Sequence, residues 1–240
     1  MLSSPDWLQR TRLLYGEERA ERIAAAHVLV VGTGGVGAYA AEMLCRAGVG
    51  CLTLVDADEV SATNINRQLP ALHSTVGRKK VDVLAERFLD INPEVQLHLR
   101  PDYITAEDAE SLLSADHYDF LVDAIDTIAP KVALLSAALR RRLPVVSSMG
   151  AGAKTDITQI RFADVWDTYH CGLSKSVRSG LTRAGLKGRK LPVVFCAQQA
   201  DRAALLSVAD ERNKKTTAGT VSYMPATFGC FLAQYVLERL

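Results

Sequence analysis

The stretch "VVGTGGVGAYAAEMLCRAGVGCLTLVDAD", from Val30 to Asp58, decides the fold. It opens on the end of the apolar run "HVLVVG", which lacks the polar alternation of a half-exposed strand and so predicts a parallel strand buried on both faces. Glycines 32, 34, 35 and 37 come next, then a helix stopping near Gly48, then a second strand, "CLTLVD". A glycine turn between strand and helix lets backbone N–H groups approach a phosphate, and the positive end of the helix dipole favours that charge. Asp56 closes the second strand 24 positions after Gly32, near the ~20 at which an acid holds a ribose hydroxyl. Gly32, Gly34, Gly35, Gly37 and Asp56 therefore predict a nucleotide site. They do not choose the nucleotide, because an NAD-dependent oxidoreductase would use the same loop and acid.

Working outward, "KKVDVLAERFLDINP" reads as a helix ended by its Asn-Pro, "EVQLHLR" as a strand, "AEDAESLLS" as a helix, and "DFLVDAID" as a buried strand followed by a helix to Arg142. "VVSS" is a further strand. Alternating strands and helices predict an α/β fold, a doubly wound, mostly parallel Rossmann-like sheet. Charged residues from Asp6 to Glu21, with apolar ones at helical intervals, place N-terminal helices ahead of it. Beyond Gly150 the pattern changes: "TDITQIRFADV" is one alternating segment and "LPVVFC" reads as a short strand, within what is expected to be an irregular C-terminal extension. The chain then divides as a helical arm (1–26), a nucleotide-binding core (27–164), a crossover or substrate segment (165–225) and a terminal helix (226–240), all in one domain. Within the crossover, Cys171 to Lys190 carries six basic residues and no acidic one, broken by glycine and serine. Such a stretch predicts a segment ordered only on contact with a partner.

With 240 residues and a formal charge of +1, the chain has no global field toward nucleic acid or membrane, so any such attraction is local. Five cysteines, none in a C-x-x-C pair, argue against a disulfide framework and a structural zinc site, and point to a reducing, cytoplasmic setting. The five histidines show no metal-ligand spacing in sequence. The apolar part of "ATFGCFLAQYVLERL" is short of the ~20 residues that span a bilayer; a helix packed on the core is the expectation, and peripheral membrane contact stays open.

The stretch after Asp56 discriminates between chemistries. In "DADEVSATNINRQLPALHSTVGRKK", Asn64, Arg67 and Gln68 follow closely and Lys80 comes 13 positions after Arg67. Cations gathered beside a nucleotide suit chemistry at phosphorus, where charge builds on the phosphate oxygens and the leaving pyrophosphate. Hydride transfer develops no such charge.

Together, "GTGGVG", "VDADEVSATNINRQ", "VGRKKVDV" and "DFLVDAIDTIAPK", in this order, resemble the ubiquitin-activating-type adenylating family, which joins ATP to a carboxylate. Within it, "LLYG", "DAID" followed by Lys131, and "SSMGAGAKTDITQIRFADV" are most similar to the bacterial branch that dehydrates threonylcarbamoyladenosine in tRNA. The likeness spans Arg10 to Asp164 and "ATFG", and is weak between Asp167 and Tyr223. It implies ATP and Mg²⁺, with Asp56 on the ribose and Gly34, Gly35 and Gly37 beneath the nucleotide. Asn64, Arg67 and Lys80 would bear on the phosphates with Gln68 beside them, and Asp126 rather than the strand-bound Asp123 would position Mg²⁺ or the reacting phosphate. Arg10 would reach ATP from the other subunit of a homodimer. The partner implied is a tRNA with a modified anticodon-loop adenosine, met by the basic stretch Lys175 to Lys190, with a sulfur-relay protein as a further partner. Cys171 and Cys196 are read as idle rather than as acyl acceptors. The alternative within this chemistry is adenylation of the C-terminus of a ubiquitin-like sulfur carrier, although relatives of that kind often carry two C-x-x-C zinc pairs, absent here.

Overall fold

The computed structural model describes residues 6–207 and 216–240. Two helices lead, α1 (Gln9–Tyr15) and α2 (Glu17–Ala25), and then strand and helix alternate: β1 (His27–Val31), α3 (Gly37–Arg46), β2 (Cys51–Val55), α4 (Lys80–Ile91), β3 (Gln96–Arg100), α5 (Ala109–Ser114), β4 (Phe120–Asp123), α6 (Ile128–Arg141), β5 (Val145–Ser148) and β6 (Ile160–Asp164). The remainder is α7 (Gly172–Arg183), β7 (Pro192–Cys196), a small hairpin of β8 (Leu205–Ser207) with β9 (Thr216–Ala218), and α8 (Tyr223–Leu237).

Seven strands form the sheet in the order β3-β2-β1-β4-β5-β7-β6. All neighbours are parallel except β6 against β7. The period of two along β1 sends alternate residues into two cores. Val28 and Val30 pack with Leu52, Leu54, Phe88, Phe228 and Leu232, while Leu29 and Val31 pack with Leu121, Leu134, Val177 and Phe195. After β3 the chain crosses back to the far side of β1. The strand order reverses between β1 and β4, and the carboxyl ends of these strands open the crevice where a doubly wound sheet takes its ligand.

The segment expected to be irregular and partner-ordered is corrected by the structure. Its basic stretch forms α7, a helix of 12 residues that buries Ser174, Val177, Gly180 and Leu181. Glycine at 180 is a packing choice: a Cβ there would lie 2.6 Å from a Val132 methyl of α6. Arg178 is spent on carbonyls, donating to Val165 at 3.2 Å and Thr168 at 2.9 Å. The strand expected at "LPVVFC" is present as β7, an inner strand of the main sheet.

Helix α8 begins at Tyr223, three residues before the expected boundary, and crosses α3 closely. A Cβ at Gly229 would meet Tyr39 and the Val36 carbonyl at 2.6 Å. Met224, Phe228, Leu232 and Val236 are buried in that contact and against the sheet. Among the described residues, no helix is long and apolar enough to cross a membrane.

The fold gathers two histidines that the sequence keeps apart. His27 and His98 converge with Cys51, their ligand atoms all within 4.8 Å of one another. Sequence spacing hides the group because its members sit on β1, β2 and β3, separated by 24 and 47 positions.

Candidate active site

The glycine turn is shaped by close packing. Gly32 has φ +86°, and a Cβ on it would stand 2.8 Å from the Ala124 carbonyl oxygen. A Cβ on Gly37 would come within 1.8 Å of the Gly32 oxygen, so only glycine lets α3 start this close to β1. Gly34 and Gly35 play another part. A Cβ on Gly34 would meet only the Gln68 amide, at 3.7 Å, and one on Gly35 would press on Pro225 at the start of α8, at 3.2 Å. Their bare backbone forms the floor of a cradle.

Asp56 ties the second strand to this floor. Its Oδ2 accepts the Thr33 N–H at 2.7 Å and the Thr33 hydroxyl at 3.1 Å, and its Oδ1 accepts the Asp58 N–H at 2.9 Å. Lys80 reaches over from the first turn of α4 with its side chain almost wholly buried. Its Nζ lies 2.7 Å from Asp58 Oδ2 and 3.9 Å from Asp56 Oδ1. The structure thus joins residues 24 positions apart in sequence into one charged group at the end of β2.

The loop after β2 carries the remaining cluster. Asn64 Oδ1 accepts the Ser61 N–H at 3.1 Å, closing a capping box around a short 3₁₀ turn. The Asn64 carbonyl accepts the N–H groups of Arg67 and Gln68 at 3.0 and 2.9 Å, so this asparagine serves as a scaffold for both. Arg67 Nη1 donates to the Thr63 carbonyl and to Asn66 Oδ1, each at 2.9 Å, which fixes the plane of the guanidinium. Gln68 Oε1 is buried with no hydrogen-bond partner among the described residues, while its Nε2 lies toward Gly34, 3.7 Å from where a Cβ there would stand. An orphaned acceptor of this kind carries a desolvation cost, and a ligand that donates into the cradle relieves it.

On the other side of the crevice stands the β4 loop. Asp123 and Lys131 are both fully buried, with Nζ and Oδ2 2.6 Å apart. Asp123 also accepts the Ser147 hydroxyl at 2.6 Å and the Ile125 N–H at 3.1 Å, and Lys131 donates to the Ile125 carbonyl at 2.9 Å. Both backbone groups of Ile125 are therefore pinned by this pair. Asp126, next in the chain, is exposed and accepts the Thr127 hydroxyl at 3.4 Å. A solvent-facing hard oxygen donor suits Mg²⁺, which keeps several of its waters, whereas Asp123 is fully buried.

Arg10 lies on α1, exposed and outside this crevice, with no hydrogen bond or ion pair of its own chain among the described residues. Leu13 and Leu14 near it are 87 and 78% exposed. The remaining candidates converge: the glycine turn, Asp56, Asn64, Gln68, Arg67 and Lys80 share one lip of the crevice, and Asp126 follows β4 at the same carboxyl edge.

Sequence reasoning missed Thr33, Asp58 and Lys154. Thr33 is the "T" inside the glycine motif, so its bond to Asp56 had a local signal. Lys154 had none: it is buried on the loop after β5, donating to the Cys196 carbonyl at 2.6 Å, and burial pushes its pKa below the ordinary lysine value against the pull of Cys171 and Cys196.

Known proteins resemble the chain in sequence and in fold. The ThiF family model matches residues 8–240. The tRNA threonylcarbamoyladenosine dehydratase of Bacillus subtilis is 43% identical over 186 residues, covering 78% of this chain and 72% of that protein. The Haemophilus influenzae dehydratase of the same name is 36% identical over 236 residues, covering 95% and 90%. Among solved structures, the E. coli tRNA N6-threonylcarbamoyladenosine dehydratase in complex with ATP superposes with a TM-score of 0.89 at 34% identity, over 100% of this chain and 96% of that one. The same enzyme in complex with AMP gives 0.87 at 35% identity, over 100% and 96%.

Proposed function

Since the chain belongs to the ThiF family, we propose that it is an ATP-dependent tRNA threonylcarbamoyladenosine dehydratase. It adenylates the threonylcarbamoyl carboxylate on an anticodon-loop adenosine and closes that group into a ring with loss of AMP. The observation that carries this reading is the near full-length likeness to a dehydratase bound to ATP, in a chain whose cations gather at the end of β2 beside a bare glycine floor. A dinucleotide oxidoreductase would leave Arg67 and Lys80 without a task.

The residues divide the work as follows. A carboxylate offers about four acceptor sites, and Thr33 and Asp58 take three of those on Asp56; the site left on Oδ1 receives a ribose hydroxyl. The backbone of Gly34 and Gly35 lies under the phosphates, and the buried Gln68 carboxamide gains a donor from the nucleotide. A substrate carboxylate oxygen then attacks the α-phosphorus and pyrophosphate leaves. Arg67 and Lys80 meet the charge that grows on the phosphate oxygens, while Asn64 holds Arg67 and Gln68 in place. Mg²⁺, when bound through Asp126, neutralises phosphate charge. The Asp123–Lys131 pair aims Asp126 at the crevice. In the second step a neighbouring atom of the same modification attacks the acyl adenylate and expels AMP, so no nucleophile of the protein is needed.

Arg10 completes the site from a second copy in a homodimer, and the exposed Leu13 and Leu14 beside it are apolar surface that such a partner would cover. The tRNA backbone meets Lys175, Arg183, Lys187, Arg189 and Lys190, all exposed on and after α7. The enzyme works in the cytoplasm, with a sulfur-relay protein as an auxiliary partner. Mass spectrometry of tRNA nucleosides from cells lacking the protein tests the reading: the cyclised form should vanish and the open form accumulate. An unchanged ratio would overturn it.

A further inference from the structure

The amino ends of β1 and β2, with the middle of β3, carry a second constellation, away from the carboxyl ends that form the nucleotide crevice. His27 and Cys51 are register partners, and His98 faces Thr53 on the next strand. Because side chains alternate along strands, this register sends all three to one face of the sheet, and their ligand atoms lie within 4.8 Å of one another. The Asp116 carboxylate, on the loop before β4, stands 3.9 Å from His27 Nδ1 and 3.4 Å from His98 Nδ1.

We propose that His27, Cys51 and His98 bind a divalent transition cation, Zn²⁺ first, with Asp116 as fourth ligand or as the carboxylate orienting a bound imidazole. Two imidazoles, a thiol and an adjacent carboxylate are the donor set of a four-coordinate zinc centre. The supporting shell is in place as well. His27 Nε2 lies 2.8 Å from the Thr53 hydroxyl and its Nδ1 faces Asp116, so whichever nitrogen binds the metal, the other keeps a partner that fixes the tautomer. Tyr118 packs edge-on against the His27 ring at 4.8 Å and limits its rotation. Bond lengths near 2.0–2.3 Å put tetrahedral ligand atoms about 3.5 Å apart, so binding draws the group in by about an ångström. His98 has the freedom for that movement: its side chain is 48% exposed, and β3 is the outermost strand.

The consequence for the fold is a staple. One ion would tie the edge strand β3 to β2 and β1, where the sheet otherwise relies on backbone pairing and a partly exposed strand face. Binding releases the Cys51 thiol proton to solvent and changes no oxidation state. The nucleotide crevice lies at the far ends of these strands, so this proposal and the dehydratase reading stand or fall separately.

The test uses the purified full chain, stripped with a chelator and titrated without nucleotide. One Zn²⁺ per chain should bind with Kd at or below about 1 μM. At a hundredfold excess over Kd the melting temperature should rise by about 5–10 °C. Co²⁺ in place of Zn²⁺ should give the intense visible bands of a tetrahedral site together with a thiolate-to-cobalt charge-transfer band. Cys51→Ser should remove that band, and Cys51→Ser with His98→Ala should abolish the stoichiometric binding and the thermal shift, with AMP formation unchanged. Asp116→Asn should weaken binding by about tenfold or more. His98→Ala alone, on an exposed edge position, serves as the folded control. No stoichiometric binding by the wild-type chain, or binding that persists in the double variant, would overturn the proposal.

Discussion

Lys131→Met tests whether the buried ion pair beneath the β4 loop shapes the site. Methionine fills nearly the same volume, so packing contributes little. The change removes the 2.6 Å contact with Asp123 and the bond to the Ile125 carbonyl at 2.9 Å, and leaves a fully buried carboxylate without its cation. Breaking one partner of such a pair costs about 3–5 kcal/mol. The Ser147 hydroxyl and the Ile125 N–H still donate to Asp123, which places the loss at the lower end, about 3 kcal/mol. For a chain of this size that is a fall in melting temperature of about 6–12 °C. Pairing it with Asp123→Leu removes the stranded charge and should recover most of the stability, because a buried ion pair and an apolar pair of similar volume are often nearly equivalent. Activity should not recover: Ile125 loses both anchors, Asp126 is no longer aimed, and a displacement of about 1 Å costs up to about 100-fold in rate. Calorimetry and pyrophosphate exchange on the single and double variants read the two effects separately. A fall below about 2 °C in the single variant, or wild-type exchange in the double variant, would refute the reasoning.

Arg67→Lys and Arg67→Ala should both lower the rate of AMP formation by about 100-fold or more, a barrier rise near 3 kcal/mol, with unchanged melting temperature, because lysine does not restore the planar fork; steady-state kinetics with a melting curve checks this. Gly37→Ala should destabilise the fold by about 3 kcal/mol or more, since the new Cβ would sit 1.8 Å from a backbone oxygen; urea unfolding measures it. Glu42 offers a pH test. Burial alone would raise its pKa, but hydrogen bonds from Arg87 at 2.6 and 3.1 Å and from Arg46 at 2.8 Å hold it below the ordinary carboxylate value. A lowered folded-state pKa contributes stability above the unfolded value, and that contribution is lost as pH falls through the folded one. Glu42→Gln should therefore be less stable than wild type at neutral pH and converge with it below about pH 4, which melting temperatures across that range would show.

What the sequence disclosed and what it hid follow from how each signal is built. The β1 turn and α3 were legible because their constraints are local: "HVLVVG" is buried on both faces, and Gly37 must sit against Gly32 a few residues earlier. Asp56, Arg67 and Lys80 were legible by charge type and proximity to that turn, although the Asp56 bond to Thr33 forms only when β1 and β2 pair, and the Lys80 contact with Asp58 only when α4 packs against the end of β2. Helix α7 was hidden because its glycine and serine read as breakers, whereas Gly180 accommodates Val132 and Ser174 is buried. Asp123 was read as strand-bound and Lys131 only as part of a motif, and only packing turns them into a buried pair that pins both backbone groups of Ile125. The His27, Cys51 and His98 group was invisible for a different reason: strand register, which single-chain spacing does not encode, aligns them.

The central claim is that cations just past β2 grip ATP so that a tRNA-borne carboxylate can capture its α-phosphorus. Purified protein, ATP with Mg²⁺, and tRNA bearing open threonylcarbamoyladenosine, followed for AMP and for the mass of the modified nucleoside, measure it directly. One AMP should appear for each nucleoside that becomes lighter by one water, and neither should appear without tRNA. AMP released without that mass change, or cyclised nucleoside formed without ATP, would contradict the account.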